Sequence, residues 1–311
     1  MSIKHDVDTK LLFQIGTHLD EGTATFVHNK VYELGNVNAV CVARNVDEKT
    51  LPGFIEAAKA LKIAGFDLTT PLKSAIIPYL DECDEVSRTF QCVNGVKMRE
   101  GKLIGIGLDG IGMKIALELK CGEKLAGSKA VILGAGAVAG LIASALCEGG
   151  IREFVIANRT VAKAERIARN LKERYEDVSV CTGPLNDEFL TANTVGFDIA
   201  VQCTTLSMEM NRKEYMPWKF VEYLAPDAVA ADVSYPLTPF LKRAQEAGLE
   251  IIDGKSMLAC QQIAMMKFHF DCDLSAGMLP EIEEIVDVAV AMREARKRRL
   301  PHRLFVPPQK L

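Results

Sequence analysis

Short apolar runs alternate with longer mixed segments along most of this chain. The runs are rich in Val, Ile and Leu and stop at glycine or at a polar residue, which is typical of buried strands. In the first part of the chain the pattern predicts strands at 11–16, 38–43, 65–69 and 102–107. It predicts helices that begin at Phe26 and that cover 51–63, 72–80 and 111–119.

After a polar stretch at 120–128 the alternation becomes more regular. The predicted strands are 130–133, 153–157, 178–181, 198–202, 228–233 and 249–252. The predicted helices between them are 137–147, 161–174, 186–192, 217–223 and 238–247. Strands that alternate with helices imply a parallel, right-handed, doubly wound sheet.

The length of 311 residues suits two domains better than one core. We therefore predict an α/β fold with two domains, the second of which is the doubly wound unit at 114–254. Two tail helices, 255–268 and 281–299, follow its sixth strand. We expect them to cross back to the first domain, which then comprises 1–113 and about 255–311.

Composition and charge exclude several classes of partner. The formal net charge is −4, without the basic excess of a duplex-binding protein. No apolar run approaches the roughly 20 residues that span a bilayer, and residues 1–10 contain no apolar signal region. The nine cysteines form no Cys-x-x-Cys pair, and no cluster has metal-ligand spacing. We expect a cytoplasmic protein with reduced thiols and without metal, membrane or nucleic-acid partners.

One stretch has the pattern of a nucleotide-binding turn. An apolar run ends at Gly134, Gly136 follows, and small residues open an alanine-rich helix. Gly134 permits the turn, Gly136 lets a pyrophosphate approach, and Ala139 lets the helix pack close to the strand. The helix N-terminus offers free N–H groups to phosphate; a small-residue turn of another α/β protein is the alternative. The predicted cofactor contacts here are Gly134, Ala135, Gly136, Ala137, Val138 and Ala139.

The end of the next predicted strand distinguishes two forms of the cofactor. In the NAD version of this fold, an acidic residue about 20 residues past the glycines holds the ribose hydroxyls. This chain offers Arg159 and Lys163 instead of an acid. A guanidinium can bind a 2′-phosphate through two hydrogen bonds. The pattern favours NADP over NAD, with a solvated arginine as the alternative.

Two residues that follow strands of the first domain form a candidate proton-transfer pair. Thr70 and Pro71 predict a helix start, with Thr70 as N-cap and Pro71 at the first helical position. Lys73 then lies in the first turn, and Asp109 follows the strand at 102–107. An ammonium beside a carboxylate can stabilise an alkoxide and pass a proton during hydride transfer. From the spacing alone, a surface lysine and a turn aspartate stay an open alternative.

Several motifs, in order, resemble those of the shikimate dehydrogenase family. The similarity runs from about Leu11 to Phe270, and the Asn-Arg-Thr of NADP-dependent members stands unchanged at 158–160. The matching stretches are Asp67-Leu68-Thr69-Thr70-Pro71-Leu72-Lys73, Cys92-Val93-Asn94-Gly95, Gly105-Ile106-Gly107-Leu108-Asp109-Gly110, Asp232-Val233-Ser234-Tyr235-Pro236 and Gly254-Lys255-Ser256-Met257-Leu258-Ala259-Cys260-Gln261.

This resemblance implies an N-terminal substrate domain, an NADP-binding Rossmann domain and a role for individual residues. Lys73 and Asp109 would be the catalytic pair. The implied substrate-binding residues are Asp67, Thr69, Asn94, Tyr235 and Gln261. The implied NADP contacts beyond the glycine turn are Asn158, Arg159, Thr160, Lys163, Thr204, Met208, Gly254 and Met257.

The chain also departs from the family pattern. The family's Ser-x-Ser, whose hydroxyls bind the shikimate carboxylate, is replaced by Gly22 and Ala24. Thr23 and Thr25 would substitute for those serines only after a shift of one residue. The family's substrate-binding Asn is Asp67 here, and its glycine in the nicotinamide loop is Ser207. We therefore expect altered or weak activity on shikimate.

The sequence supports a hydride transfer between NADP(H) and a ring hydroxyl or carbonyl of shikimate, quinate or a related cyclic polyol. The small-molecule polyol is the expected partner, and a homodimer is possible on this fold. Two alternatives stay open. One is a non-catalytic NADP(H)-binding regulatory protein, which would not need the Lys73 and Asp109 pair. The other is a methylene-tetrahydrofolate-type dehydrogenase, which the Asn94 context fits less well.

Overall fold

A computed structural model describes residues 6–17, 19, 23–204, 216–235 and 237–299. These residues form two six-stranded sheets with helices packed on them, which confirms the predicted α/β class. Among the helices in those ranges, none is both long and apolar enough to cross a membrane.

The first sheet is mixed. Its strands are β1 (Lys10–Gly16), β2 (Ala39–Asn45), β3 (Gly65–Leu68), β4 (Glu82–Cys83), β5 (Gly95–Arg99) and β6 (Lys102–Ile106). Its helices are α1 (Ala24–Leu34), α2 (Leu51–Leu61), α3 (Leu72–Ala75) and α4 (Glu85–Phe90). The strand order is β2-β1-β3-β5-β6-β4, with β5 antiparallel to both of its neighbours. The carboxyl end of β3 therefore lies inside the sheet, between β1 and β5.

The second sheet is parallel throughout. Its strands are β7 (Lys129–Leu133), β8 (Glu153–Ala157), β9 (Ser179–Gly183), β10 (Ile199–Gln202), β11 (Val229–Asp232) and β12 (Glu250–Ile252). The helices of this part are α5 (Leu108–Cys121), α6 (Ala137–Glu148), α7 (Val161–Arg174), α8 (Asp187–Asn193) and α9 (Pro239–Glu246). The order β12-β11-β10-β7-β8-β9 is doubly wound and reverses direction between β7 and β10. The predicted Rossmann sheet is confirmed.

The tail contains α10 (Gly254–Phe270) and α11 (Leu279–Arg299). Both helices share a hydrophobic core with α1 of the first sheet. Val27 and Val31 of α1 pack there with Met266 of α10 and with Ile282 and Val286 of α11. The part of the chain after β12 therefore completes the hydrophobic core of the first sheet.

The predicted helix at 72–80 is shorter in the structure. The Thr70–Pro71 peptide bond is cis, and Pro71 occupies the cap position without a side-chain cap hydrogen bond, so the N-cap role predicted for Thr70 is wrong. The helix α3 is followed by a 3₁₀ turn at Ile77–Tyr79. Pro78 has no N–H group with which to continue an α-helical ladder.

Other elements were not predicted from the pattern. The helix α4 is short, and its signal is the N-cap Asp84, whose carboxylate accepts the Ser87 N–H. Strand β5 is half polar and pairs with β6 as a hairpin. A 3₁₀ turn at Lys219–Tyr223 takes the place of the helix predicted at 217–223.

Helix α5 lies between α6 and α10 and begins three residues earlier than predicted. Its contact with α6 depends on Gly110, because a Cβ atom built there would lie 2.4 Å from the backbone oxygen of Leu141. Only a glycine permits so close an approach. The first turn of α5 is therefore held against the helix that follows the glycine turn.

Substitution Gly110→Ala is expected to lower the free energy of unfolding by about 1–3 kcal/mol, because the added methyl group overpacks a backbone contact. The matched control is Gly53→Ala in α2, where an added Cβ meets no atom within 4 Å. This control should raise the stability by about 0.5–1 kcal/mol through the backbone entropy of glycine. Urea denaturation followed by circular dichroism measures both changes. Similar shifts in the two variants would contradict the packing argument.

Candidate active site

Lys73 and Asp109 form a direct ion pair. Lys73 lies in α3, just after β3, and Asp109 lies in the first turn of α5, just after β6. Lys73 Nζ donates to Asp109 Oδ2 at 2.6 Å. Since both elements start at the same edge of the first sheet, the pairing follows from the topology, as the sequence predicted.

The Asp109 carboxylate is buried and fully bound by donors. Its Oδ1 accepts from Asn94 Nδ2 at 3.1 Å and from Gln261 Nε2 at 3.0 Å. The side chain of Asn94 also accepts the backbone N–H of Leu108 at 2.6 Å, at the start of α5. Each of the three donors comes from a different element, so the carboxylate can hold one orientation only.

The charge on Lys73 is set by two opposing effects. Burial lowers the pKa of Lys73, but the Coulombic attraction and hydrogen bond of Asp109 outweigh it, with a smaller contribution from Cys92, and the pKa is raised overall. The side chain is 19% exposed, so water or a ligand can reach it. Lys73 is therefore an ammonium at neutral pH, able to donate a proton or to stabilise an oxyanion.

A cavity of about 210 Å³ lies against this pair. It is lined by residues from both halves of the chain, since Tyr235 and Val233 follow β11 of the second sheet. The predicted site residues on its wall are Asp67, Thr69, Lys73, Asn94, Asp109, Tyr235, Gly254, Met257 and Gln261. Gly254 and Met257, for which the family resemblance implies NADP contacts, line the same cavity as Lys73 and Asp109.

The loop before α1 contributes differently from the prediction. Thr23 is buried, and its Oγ1 is 2.6 Å from the hydroxyl of Tyr235, with either group as donor. Thr25 lines a separate surface depression with Arg44 and Arg296. Ala24 lines the cavity itself. Gly22 lies outside the described residues.

A second buried carboxylate, Asp67 at the end of β3, lies on the cavity wall. Its Oδ1 is 2.9 Å from His269 Nε2, and its Oδ2 is 3.9 Å from His28 Nε2. The sequence favours a structural role for His28, and no motif in it contains His269. The spacing in α10 is the sequence feature that indicates His269 as a site residue. Gln261, Met265 and His269 are four residues apart and therefore share a helix face.

The glycine turn has the geometry that a pyrophosphate needs. Gly134 has φ of +105°, and a Cβ there would lie 2.7 Å from Thr204 Cγ2. Gly136 is exposed, with open space where a Cβ would stand. Helix α6 begins at Ala137, so its first N–H groups point toward this space. The close packing of α6 depends on Gly140 as well as on the buried Ala139, because a Cβ at Gly140 would lie 2.3 Å from the Phe90 ring.

Asn158 connects the glycine turn to the end of β8. Its Oδ1 accepts the Ala135 N–H at 3.1 Å, and its Nδ2 donates to the Thr160 oxygen at 2.8 Å. Arg159 and Lys163 are exposed beyond this link, and no acidic residue occupies 157–163. Ser207 and Met208 lie outside the described residues. Within those residues, no group of three or more His, Cys, Asp and Glu could hold a metal.

Comparisons with known proteins place this geometry in a family. A model for the shikimate dehydrogenase substrate binding domain matches residues 15–96, and a model for shikimate / quinate 5-dehydrogenase matches residues 116–234. A curated shikimate dehydrogenase (NADP(+)) from Methanococcus maripaludis is 33% identical over 281 residues. That alignment covers 89% of this chain and 95% of the relative.

Two solved structures share the fold over nearly their whole length. A shikimate dehydrogenase in complex with NADP+ superposes with a TM-score of 0.79 at 30% identity, covering 92% of this chain and 97% of that one. The ligand-free 5-ketofructose reductase of Gluconobacter sp. strain CHM43 gives a TM-score of 0.75 at 26% identity, covering 90% and 99%.

The buried His28 predicts a specific dependence of stability on pH. Burial lowers its pKa below the usual 6.5, and the repulsion of a charged His269 acts in the same direction; Asp67 and the hydrogen bond with Gln262 oppose the shift without reversing it. The unfolded chain therefore binds the extra proton first, and stability is lost as the pH falls below about 6.5.

We expect the free energy of unfolding to fall more between pH 7.5 and pH 5.5 in the wild type than in His28→Gln. The difference is at most about 1.4 kcal/mol per pH unit below 6.5. Urea denaturation at the two pH values measures it, with circular dichroism at pH 7.5 as the check on folding. An equal loss of stability in both proteins would show that His28 does not cause the acid sensitivity.

Proposed function

The chain belongs to the shikimate dehydrogenase family, and from this premise we propose that it is an NADP-dependent oxidoreductase acting on a CH–OH group. Its reaction is hydride transfer between NADP(H) and a secondary alcohol or ketone of a small polyhydroxylated substrate. The single observation that carries the proposal is the Lys73–Asp109 pair on the wall of a cavity lined from both sheets. A regulatory protein that only binds the nucleotide has no use for that pair.

The catalytic step uses the ammonium of Lys73 beside the reacting oxygen. When bound, NADP(H) donates or accepts the hydride. In the direction of reduction, Lys73 stabilises the growing negative charge on the carbonyl oxygen and gives it a proton. Asp109 orients the ammonium through their 2.6 Å hydrogen bond. In the direction of oxidation, Lys73 must first release a proton to solvent, and the neutral amine then receives the hydroxyl proton as the hydride leaves. The raised pKa of Lys73 favours the ammonium that this transfer restores.

The residues of the glycine turn fit NADP(H). The N–H groups at the start of α6 would hold the pyrophosphate, Gly136 leaves open space for it, and Thr204 packs against Gly134 of the turn. Arg159 and Lys163 provide the cationic groups that a 2′-phosphate requires. The roles of Met208 and Thr160 in this site rest on the family resemblance alone.

The cavity favours a hydroxylated substrate over a carboxylated one. Asn94 and Gln261 offer polar groups for hydroxyls, with Thr69 and Tyr235 beside them. Ala24 stands where the family's second serine would bind a carboxylate, and it has no side-chain hydrogen bond to give. We propose an uncharged polyol as the preferred substrate, in line with the similarity to a 5-ketofructose reductase.

We propose a cytoplasmic location on the basis of the thiols. All nine cysteines are free. Burial raises the pKa of Cys92, Cys147 and Cys260 to about 12, so these thiols are unreactive. Reduced, inert cysteines support a cytoplasmic location.

Substitution Lys73→Ala is expected to lower kcat by about 10²–10⁴, the usual contribution of a general acid–base. Binding of NADPH, followed by its fluorescence, should stay unchanged, because Lys73 lies on the substrate side of the cavity. Initial rates with NADP+ are measured across shikimate, quinate and uncharged cyclitols, and with NADPH on 5-ketofructose. Absence of turnover on every compound in the wild type would favour the non-catalytic nucleotide-binding alternative.

Substitution Arg159→Ala should weaken the binding of NADP+ more than the binding of NAD+. The guanidinium contributes a charge-assisted hydrogen bond to the 2′-phosphate, which NAD+ lacks, so we expect the Kd for NADP+ to rise about tenfold or more. Titration calorimetry with both nucleotides measures the two values. Equal losses of affinity for NADP+ and NAD+ would show that Arg159 does not recognise the 2′-phosphate.

A further inference from the structure

The mechanism above uses one of the two buried carboxylates on the cavity wall. The other, Asp67, is 4% exposed and lies at the end of β3. Its neighbours in the sheet are Gln14 of β1 and Gly95 of β5, so it is covered on both sides by backbone. An anionic group in such a place is costly unless its oxygens are bound.

The two oxygens of Asp67 have different surroundings. Oδ1 accepts from His269 Nε2 at 2.9 Å. Oδ2 is buried and has no hydrogen-bond partner in the described part of the chain. His28 Nε2 lies 3.9 Å from it, too far for a hydrogen bond. One acceptor on the cavity wall is therefore left without a donor.

His269 holds Asp67 in this position. A Cβ at Gly65 would lie 3.0 Å from His269 Nδ1, so the glycine at the start of β3 makes room for the imidazole ring. The ring also packs edge-on against Phe268, with centroids 5.0 Å apart. With Nε2 donating to Asp67, the ring fixes one carboxylate oxygen and directs the other away from itself.

The charges on the cavity wall are unbalanced. Asp67 and Asp109 are both carboxylates, whereas Lys73 is the single ammonium among the lining residues, and Asp109 already binds it. No described lysine or arginine pairs with Asp67. A ligand carboxylate in so small a cavity lies near two carboxylates whose partners, Lys73 and His269, are already engaged, and this raises its energy. A ligand hydroxyl instead would supply the donor that Oδ2 lacks, once a rotation of the carboxylate turns that buried oxygen toward the cavity.

We infer that Asp67, positioned by His269, determines substrate specificity: it accepts a hydrogen bond from a hydroxyl of an uncharged polyol and excludes carboxylated analogues. This inference rests on the proposed function for the nature of the reaction. To that function it adds the residue that selects the substrate class, because Asp67 attracts a hydroxyl and repels a carboxylate.

Equilibrium binding tests the inference without turnover. Shikimate and its neutral amide are titrated by calorimetry into the wild type and Asp67→Asn, each saturated with NADPH. Because both compounds are in the alcohol form, no hydride can be transferred. We expect the wild type to prefer the amide by about tenfold or more, and Asp67→Asn to bind both compounds within about threefold, since the repulsion is gone.

The proposed hydrogen bond from a ligand hydroxyl to Asp67 is measured with 5-ketofructose in the presence of NADP+. The oxidised nucleotide has no hydride to give to the ketone, so the ketone is not reduced. Asp67→Asn should raise the Kd for 5-ketofructose by about tenfold, because a neutral amide oxygen is a poorer hydrogen-bond acceptor than a carboxylate. The matched control is Asp273→Asn, an exposed position paired with Lys267 outside the cavity. It changes the net charge equally and should leave all three affinities unchanged.

His269 is tested by a conservative pair. His269→Gln keeps a donor for Asp67, whereas His269→Leu removes it. We expect the leucine variant to raise the KM for 5-ketofructose more than it changes kcat, and the glutamine variant to restore part of the loss. A purely structural role would lower stability in both variants without this split between KM and kcat.

The outcomes separate the two proposals. If wild-type enzyme binds shikimate as tightly as its amide, or if Asp67→Asn leaves their ratio unchanged, the specificity role of Asp67 is wrong, whatever the enzyme oxidises. If the ratio shifts as expected but Lys73→Ala does not lower any rate, the specificity role stands and the proposed catalytic function falls. Should Asp67→Asn fail to fold, the wild-type preference between shikimate and its amide still decides the inference.

Discussion

The ion pair between Lys73 and Asp109 is the interaction on which the rest of the site depends. A buried carboxylate is stable only when donors occupy its oxygens. Here the donors come from α3, from the turn before β5 and from α10, so three separate parts of the chain must meet at Asp109. Because α10 follows the last strand of the second sheet, the catalytic geometry exists only when both sheets are assembled.

The same assembly explains why the cavity is electrostatically negative. The strand β3 delivers Asp67 to the wall, and α10 delivers both Gln261 to Asp109 and His269 to Asp67. One helix face thus holds two carboxylates in place. Ala24 has no hydroxyl group with which to bind a substrate carboxylate, and Asp67, which lines the same cavity, has one oxygen without a hydrogen-bond partner in the described part of the chain. Both features support the proposed preference for hydroxylated and uncharged ligands.

The parts of the site that the sequence predicted are those fixed by local pattern. Gly134 and Gly136 lie between a strand and a helix, and that local pattern is enough to predict a phosphate turn. Lys73 and Asp109 follow strands, so their meeting at one sheet edge could be inferred. The partnership of His269 with Asp67 could not, because 202 residues separate them and each is ordinary in its own segment. The short α4 and the half-polar β5 lacked enough periodic positions to be seen.

By itself the sequence determined the α/β class, the doubly wound second sheet and the strand–glycine turn–helix pattern, and it predicted Arg159, Lys73 and Asp109 as site residues. These depend on the periodicity of apolar residues and on glycine at fixed offsets, which are local properties of the chain. Only the tertiary structure decided which donors satisfy Asp109, that Thr23 is bound to Tyr235, and that Asp67 keeps one oxygen unpaired. Those outcomes depend on distances between segments far apart in sequence, and packing alone sets such distances.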